Sequence, residues 1–377
     1  MTAISTLKTL PTLLIFALPT LGFATTYPLT VTDMDGQKVE FRQEPQRVIL
    51  QDGRDILSLA LLDRDNPFRR VVAWNNLMKK QDNGSWNMLH TRWPQSDKIL
   101  DMGFSDQGEV NLETVIAKRP DVMIAQLRAK PALQQSGVLA QLSTLNIPVL
   151  FVDTELHPVQ NTAASITLLG QVLDQEENAK AYTDWYQQKL NSLQTTVKDV
   201  SPKPTVFVEP IAGISGGGEG CCFTHGHNGW GGLVEATGAK NIGSELLPGT
   251  SGTIAVEKVI ALNPDYYVMS GSKRGGKGSH VIPLGYNTDI AEIKATFDQL
   301  RARTGVKDIP AVKAGKVAAV YHHFYNHPYN IIGMEMLAKD FYPGQFTQLN
   351  PTADYHTLIR TFTRLPDEPI NIEYHPQ

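Results

Sequence analysis

One stretch of this chain is answered, 144 residues later, by a second of the same design. Asn111 to Val122 carries Leu112-Glu113, Ile116-Ala117 and Pro120-Asp121-Val122. Ala255 to Tyr266 carries Val256-Glu257, Ile260-Ala261 and Pro264-Asp265-Tyr266 at the same offsets. Each reads as a short helix with one carboxylate in its first turn, then a Pro-Asp turn that launches a strand. A carboxylate there opposes the positive end of the helix dipole, so Glu113 and Glu257 have a structural reason to exist. Their recurrence in both halves asks for a further one.

The same βα grammar recurs along the chain. Short runs of β-branched and apolar residues stand at Val48–Leu50, Val71–Ala73, Val122–Ala125 and Val149–Val152 in the first half, and at Val206–Val208, Tyr266–Met269 and Val317–Val320 in the second. Turn residues and helix-like patterns follow each, as in βα units that feed a parallel sheet. Between the halves, Tyr182, Trp185, Tyr186, Leu190, Leu193 and Val197 mark one face of a helix. About 22 residues at about 1.5 Å each make a rod of roughly 33 Å, which Ser201-Pro202-Lys203-Pro204 ends. The expected fold is α/β: two doubly wound-like lobes with largely parallel central sheets, residues 25–174 and 201–377, joined by a single long helix over 175–200. A surface helix on one large domain is the other reading of the same pattern.

Residues 1–24 hold one charged side chain, Lys8, and a largely apolar stretch from Leu10 to Leu18, with Gly22 and Ala24 three and one positions before the expected cut. This is the pattern of a secretory signal peptide cleaved after Ala24. The run is shorter than a membrane span and is broken by Pro11 and Pro19. With 34 Lys+Arg against 38 Asp+Glu, the formal charge of −4 gives no field for nucleic acid or an anionic membrane. Two cysteines are too few for a disulfide scaffold or a thiolate zinc site.

The chain resembles the periplasmic substrate-binding proteins of the ferric-siderophore, haem and vitamin B12 class, the binding components of ABC importers. The resemblance rests on Pro45-Gln46-Arg47-Val48-Ile49-Leu50, the repeated Glu…Pro-Asp units, the linking helix, Gly238-Ala239-Lys240-Asn241-Ile242, Ile309–Val317 and Leu337–Pro343, in that order, over essentially the whole mature chain. It implies a periplasmic, monomeric protein with no cofactor of its own. It also implies that Glu113 and Glu257 dock against a membrane permease whose ATPase subunits drive import. The cargo it implies is an iron chelate held between the lobes, with haem, cobalamin or a metal ion as alternatives.

Ligands of open α/β sheets bind beyond the C-terminal strand ends. The loops there gather Arg54, Trp74 and Arg128 in the first half, and Glu209, Arg274, Tyr321, His322, His323, Tyr325 and His327 in the second. The glycine-rich segment adds His225, His227 and Trp230. Guanidinium groups among aromatics suit a bulky anionic ferric chelate. His225 and His227, as alternate residues of an extended segment, are expected to face one way, and with His322, His323 and His327 they are the candidate donors for a metal. Gly213–Gly220 lacks the Lys-Ser/Thr of a phosphate loop and reads as a close-approaching loop or lid. Cys221-Cys222 is expected to form a vicinal disulfide that stiffens the cleft wall, since redox catalysis favours Cys-x-x-Cys. No His-Glu-x-x-His and no paired glycosidase signature is present, so a binder is expected rather than an enzyme. The competing readings are an exported metalloenzyme built on the histidine loops and a scavenger or sensor that never meets a permease.

Overall fold

The structure, a computed structural model, describes residues 25–102, 112–215, 218–274 and 279–376. The signal peptide expected at 1–24 lies outside them. A hairpin of β1 (Leu29–Thr32) and β2 (Lys38–Phe41) leads into the first sheet. There β3 (Val48–Leu50), β4 (Val71–Trp74), β5 (Leu100–Asp101), β6 (Val122–Gln126) and β7 (Val149–Val152) lie in the order β5-β4-β3-β6-β7, all parallel. These strands are hydrophobic runs because helices cover both faces of a parallel sheet.

The second half supplies β8 (Thr205–Glu209), β9 (Phe223–His225), β10 (Lys240–Asn241), β11 (Ser251–Thr253), β12 (Tyr266–Gly271), β13 (Gly285–Tyr286), β14 (Val317–Tyr321), β15 (Ile370–Asn371) and β16 (Glu373–Tyr374). Its sheet has the order β10-β8-β12-β14-β16, parallel except for the antiparallel edge strand β16. Strand order reverses between β3 and β6 in the first sheet and between β8 and β12 in the second. Such switch points open a crevice at the C-terminal strand ends. The loops at those points are the ones that carry Arg54, Arg128, Glu209 and Arg274.

The repeated Pro-Asp turns do the same job in both halves. Asp121 Oδ2 accepts from the amides of Gln46 (2.7 Å) and Arg47 (2.9 Å), just ahead of β3. Asp265 Oδ2 accepts from the amide (2.8 Å) and hydroxyl (2.9 Å) of Thr205, which opens β8. Each carboxylate pins the start of the neighbouring strand and so sets the register at the centre of its sheet.

A helix over Glu176–Val197 joins the halves, with Tyr182, Tyr186, Leu190, Leu193 and Val197 buried as the spacing predicts. Tyr182 Oη donates to the carbonyl of Pro328, and Tyr186 Oη donates to Asn330 Oδ1 (2.8 Å). The chain after Pro343, to which the resemblance gave no role, folds as the helix Pro351–Phe362 followed by β15 and β16. Phe362 packs on Tyr182 and Trp185 at ring separations of 5.7 and 5.4 Å. Lys189 of the long helix pairs with Asp354 at 2.7 Å. Among the described residues, no helix is long and apolar enough to cross a membrane.

Candidate functional site between the sheets

The strand ends of the two sheets face each other and are bridged by hydrogen bonds. Ser272 Oγ donates to the carbonyl of Gln81 (2.7 Å), and the amide of Asn83 donates to the carbonyl of Lys273 (2.9 Å). Tyr321 Oη donates to Asp82 and lies 3.0 Å from Ser85 Oγ. Gly84 is required there, since a Cβ would stand 2.8 Å from the Tyr286 carbonyl oxygen. The amide of Gly229 closes the other flank by donating to the carbonyl of Glu155 (2.8 Å).

On the first-sheet side, Asp52 organises the crevice. Its carboxylate takes Nε (2.8 Å) and Nη2 (2.5 Å) of Arg54 and Nη2 of Arg128 (2.6 Å). Burial alone would raise its pKa, but the two guanidinium groups outweigh burial and hold it well below the usual carboxylate range. Arg128 also meets Glu155 at 3.0 Å. With the Asn326 amide turned so that its oxygen accepts from Arg54 and from Tyr325 Oη (3.1 Å), its nitrogen donates to the His323 carbonyl (3.0 Å), and Arg54 bridges the two sheets. Asp55 beside them is pushed up to about 8 by burial and by the charge of Asp52.

On the second-sheet side, the rings gather around Tyr325. His322 lies 4.8 Å from it and His225 lies 5.1 Å from it, ring centre to ring centre. His322 Nδ1 is 2.8 Å from Ser270 Oγ at the end of β12, and His225 Nδ1 accepts from the Trp230 amide (3.2 Å). Burial brings His225 down to about 4 and drives His322, His323 and His327 below the ordinary histidine range, so these imidazoles are neutral at neutral pH. Arg274 is half-buried and near enough to contribute to the lowering at His322 and His323. Among the described residues it has no carboxylate or carbonyl partner. Buried polar atoms without partners collect in the same region: Asp55 Oδ2, Asn75 Nδ2, Asp82 Oδ1 and His323 Nδ1.

The crevice thus unites Arg54, Arg128, His225, Arg274, Tyr321, His322, His323 and Tyr325, while other expected members stand elsewhere. Trp74 is 1% exposed and packs edge-on to Phe68, because Trp86 of the following helix covers the end of β4. Trp230 is fully buried, but it lies directly behind the crevice rings, 6.2 Å from Tyr325 ring centre to ring centre. Glu209 is locked in a buried ion pair: Arg303 Nη1 and Nη2 reach Oε1 (2.8 Å) and Oε2 (2.6 Å), and Tyr267 Oη donates to Oε2 (2.6 Å). His227 does not share a face with His225, since β9 ends at His225 and the chain turns. His227 instead sits in solvent, 2.9 Å from Glu235. His327 packs between Phe324 and Tyr329, and its Nδ1 accepts from the Tyr329 amide. The five histidines therefore do not make the expected donor set, and among the described residues no three His, Cys, Asp or Glu side chains group to hold an ion. Sequence reasoning missed Asp52, Asp55, Asp82, Ser85 and Asn326, of which only Asp52 and Asp55 carried a signal, as polar residues just past a strand.

Glu113 and Glu257 are exposed, in the first turns of helices Leu112–Ile116 and Val256–Leu262. Each helix is followed by the Pro-Asp turn that leads into β6 or β12. Cys221 and Cys222 are joined as a disulfide.

Residues 73–321 match the sequence profile described as periplasmic binding protein. The chain belongs to that family. Members work with an ABC permease and its ATPase, and both family and fold are those of solute-binding proteins. Among solved structures it is similar to the TroA-like periplasmic binding protein FepB of Veillonella parvula, at 23% identity and a TM-score of 0.81, over 93% of this chain and 100% of that one. It is also similar to the molybdate-binding MolA of Haemophilus influenzae, at 18% identity and a TM-score of 0.68, over 91% and 100%. A periplasmic haem-binding protein of Pseudomonas aeruginosa aligns at 20% identity with a TM-score of 0.53, over 79% and 93%. No curated protein sequence matches the chain.

Proposed function

We propose that the crevice captures an anionic ferric chelate of the siderophore class and that the protein delivers it, chemically unchanged, to an inner-membrane ABC permease. The observation that carries this reading is Arg274, a half-buried guanidinium with no anionic partner among the described residues, beside neutral imidazoles and Tyr325. A desolvated guanidinium calls for a counter-charge, and its planar fork matches chelate oxygens. A chelate is favoured over a bare ion because the crevice histidines present rings and single nitrogens rather than a converging donor set.

In this reading residues 1–24 are removed after Ala24. The lobes 25–174 and 201–377 close on the cargo about the 175–200 link, and Glu113 with Glu257 presents the loaded form to the permease. The test is a fluorescence titration of the mature protein with ferric catecholate, ferric hydroxamate, ferric citrate, haem and cyanocobalamin. At least one ferric chelate should bind. Arg274→Ala should weaken it about 10- to 150-fold, the worth of one hydrogen bond to a charged group at tenfold per about 1.4 kcal/mol. Equal affinity in the variant, or binding of haem or cobalamin alone, would overturn the proposal.

A further inference from the structure

Cys221 and Cys222 are the only cysteines of the chain, and their surroundings are unequal. Cys222 is fully buried. Cys221 is half-exposed and lines a recess of about 70 Å³ with Pro210, Ile214, Phe223 and Thr253. Glu209 also lines that recess, and its carboxylate is held by Arg303 and Tyr267. Arg303 Nη1 donates to the Gly220 carbonyl (2.5 Å), and Tyr267 Oη lies 3.6 Å from Cys221 Sγ. One side of the disulfide is therefore moored to a rigid ion pair.

The other side leads straight to the crevice. The Cys222 carbonyl accepts from the Ile254 amide (3.0 Å), and β9 follows at once, with Phe223 opposite Thr253 and His225 opposite Ser251. Two residues of hydrogen-bonded strand, Phe223 and Thr224, without an intervening loop, separate Cys222 from the imidazole that packs on Tyr325. A strand transmits a displacement of its first residue along its length, because its ladder bonds hold the remaining residues in register.

We propose that Cys221–Cys222 is a thiol-exchange site, reduced by an exported dithiol, and that its redox state sets the placement of His225 in the crevice. A thiolate of the dithiol attacks Cys221 Sγ, the sulfur of the residue that lines the recess. The sulfur–sulfur bond breaks, and Cys222 Sγ leaves with the electron pair and takes a proton from water. The second thiol of the reductant, once deprotonated, attacks its own sulfur in the mixed disulfide. Cys221 is released as a thiolate that is protonated in turn. The protein gains two electrons and two protons, and the dithiol becomes a disulfide. Both cysteine side chains then regain rotamer freedom, and the mooring of β9 to Arg303 through Gly220 is no longer stiffened by a covalent ring.

The experiment needs no cargo. The folded full-length mature chain is treated with dithiothreitol, quenched with iodoacetamide and mapped by mass spectrometry. In parallel, the ring C–H resonances of His225, assigned with His225→Gln, are followed by proton NMR against those of His356 as a remote reference. The expected result is alkylation of both cysteines without denaturant, a mixed adduct mapping to Cys221 when exchange is quenched early, movement of the His225 signals alone, and their return on reoxidation. A Cys221→Ser, Cys222→Ser double variant should show the reduced His225 positions and ignore dithiothreitol. If that variant does not fold, reversible reduction of the native chain still decides. A disulfide that resists reduction until the protein unfolds, or a His225 that stays in place once both thiols are free, would refute the proposal.

Discussion

Replacing Glu209 with alanine tests whether this residue belongs to the cargo site or to the frame of the second lobe. In the structure its carboxylate is 3% exposed and that of its partner guanidinium, Arg303, is 1% exposed. Removing the carboxylate leaves Arg303 buried without a counter-charge and strips Tyr267 of its acceptor. Breaking one partner of a buried pair costs about 3–5 kcal/mol. At about 2–4 °C per kcal/mol for a unit of some 150–250 residues, the second lobe should melt roughly 6–20 °C lower in differential scanning calorimetry. Replacing the pair together, Glu209→Leu with Arg303→Met, should recover most of that loss, because two apolar side chains need neither desolvation nor charge balance. A single variant that melts within about 2 °C of the wild type but loses chelate affinity would show the reasoning to be wrong and restore Glu209 to the crevice.

Two further outcomes follow from the geometry. Asp55 holds its proton up to about pH 8 in the folded chain and releases it near 4 when unfolded. The folded state therefore binds more protons between those values, and stability falls as pH rises through them. In urea melts at pH 5 and pH 8, Asp55→Asn should lose less stability across the interval than the wild type, and an equal loss would contradict the assignment. Reversing both helix carboxylates, Glu113→Lys with Glu257→Lys, should leave chelate affinity within about twofold, since both are exposed and neither bonds a crevice residue among those described, while uptake by cells collapses. Retained uptake would argue against docking through these residues.

Much of the fold was legible because buried parallel strands must be apolar throughout, so runs such as Val122–Ala125 and Val317–Val320 announce themselves. The Glu…Pro-Asp echo was legible for a similar reason: Asp121 and Asp265 perform one local task at the same place in each sheet. The edge strands β5, β10 and β16 were not, since each is two residues long and owes its form to a neighbour distant in sequence. The site was half legible. Strand-end position put Arg54, Arg128, His322 and Tyr325 in the right loops, but position does not tell which groups are already engaged. Arg54 is bound by Asp52 two residues away, whereas the partner of Glu209 is Arg303, 94 residues on, and no local pattern points to it. Trp74 looked like a cleft wall because it ends a strand, yet the helix that returns over β4 brings Trp86 against it.

The placement of β15 and β16 makes the two halves unequal in the order in which they can be finished. All five strands of the first sheet lie within residues 48–152, so that half has its full complement once about two-fifths of the chain has emerged. The second cannot complete its sheet, or cover Tyr182 and Trp185 with Phe362, until residues 351–374 arrive. During synthesis or threading across a membrane, the linking helix therefore waits with an aromatic seam uncovered, and that seam is where a holding chaperone would find its grip.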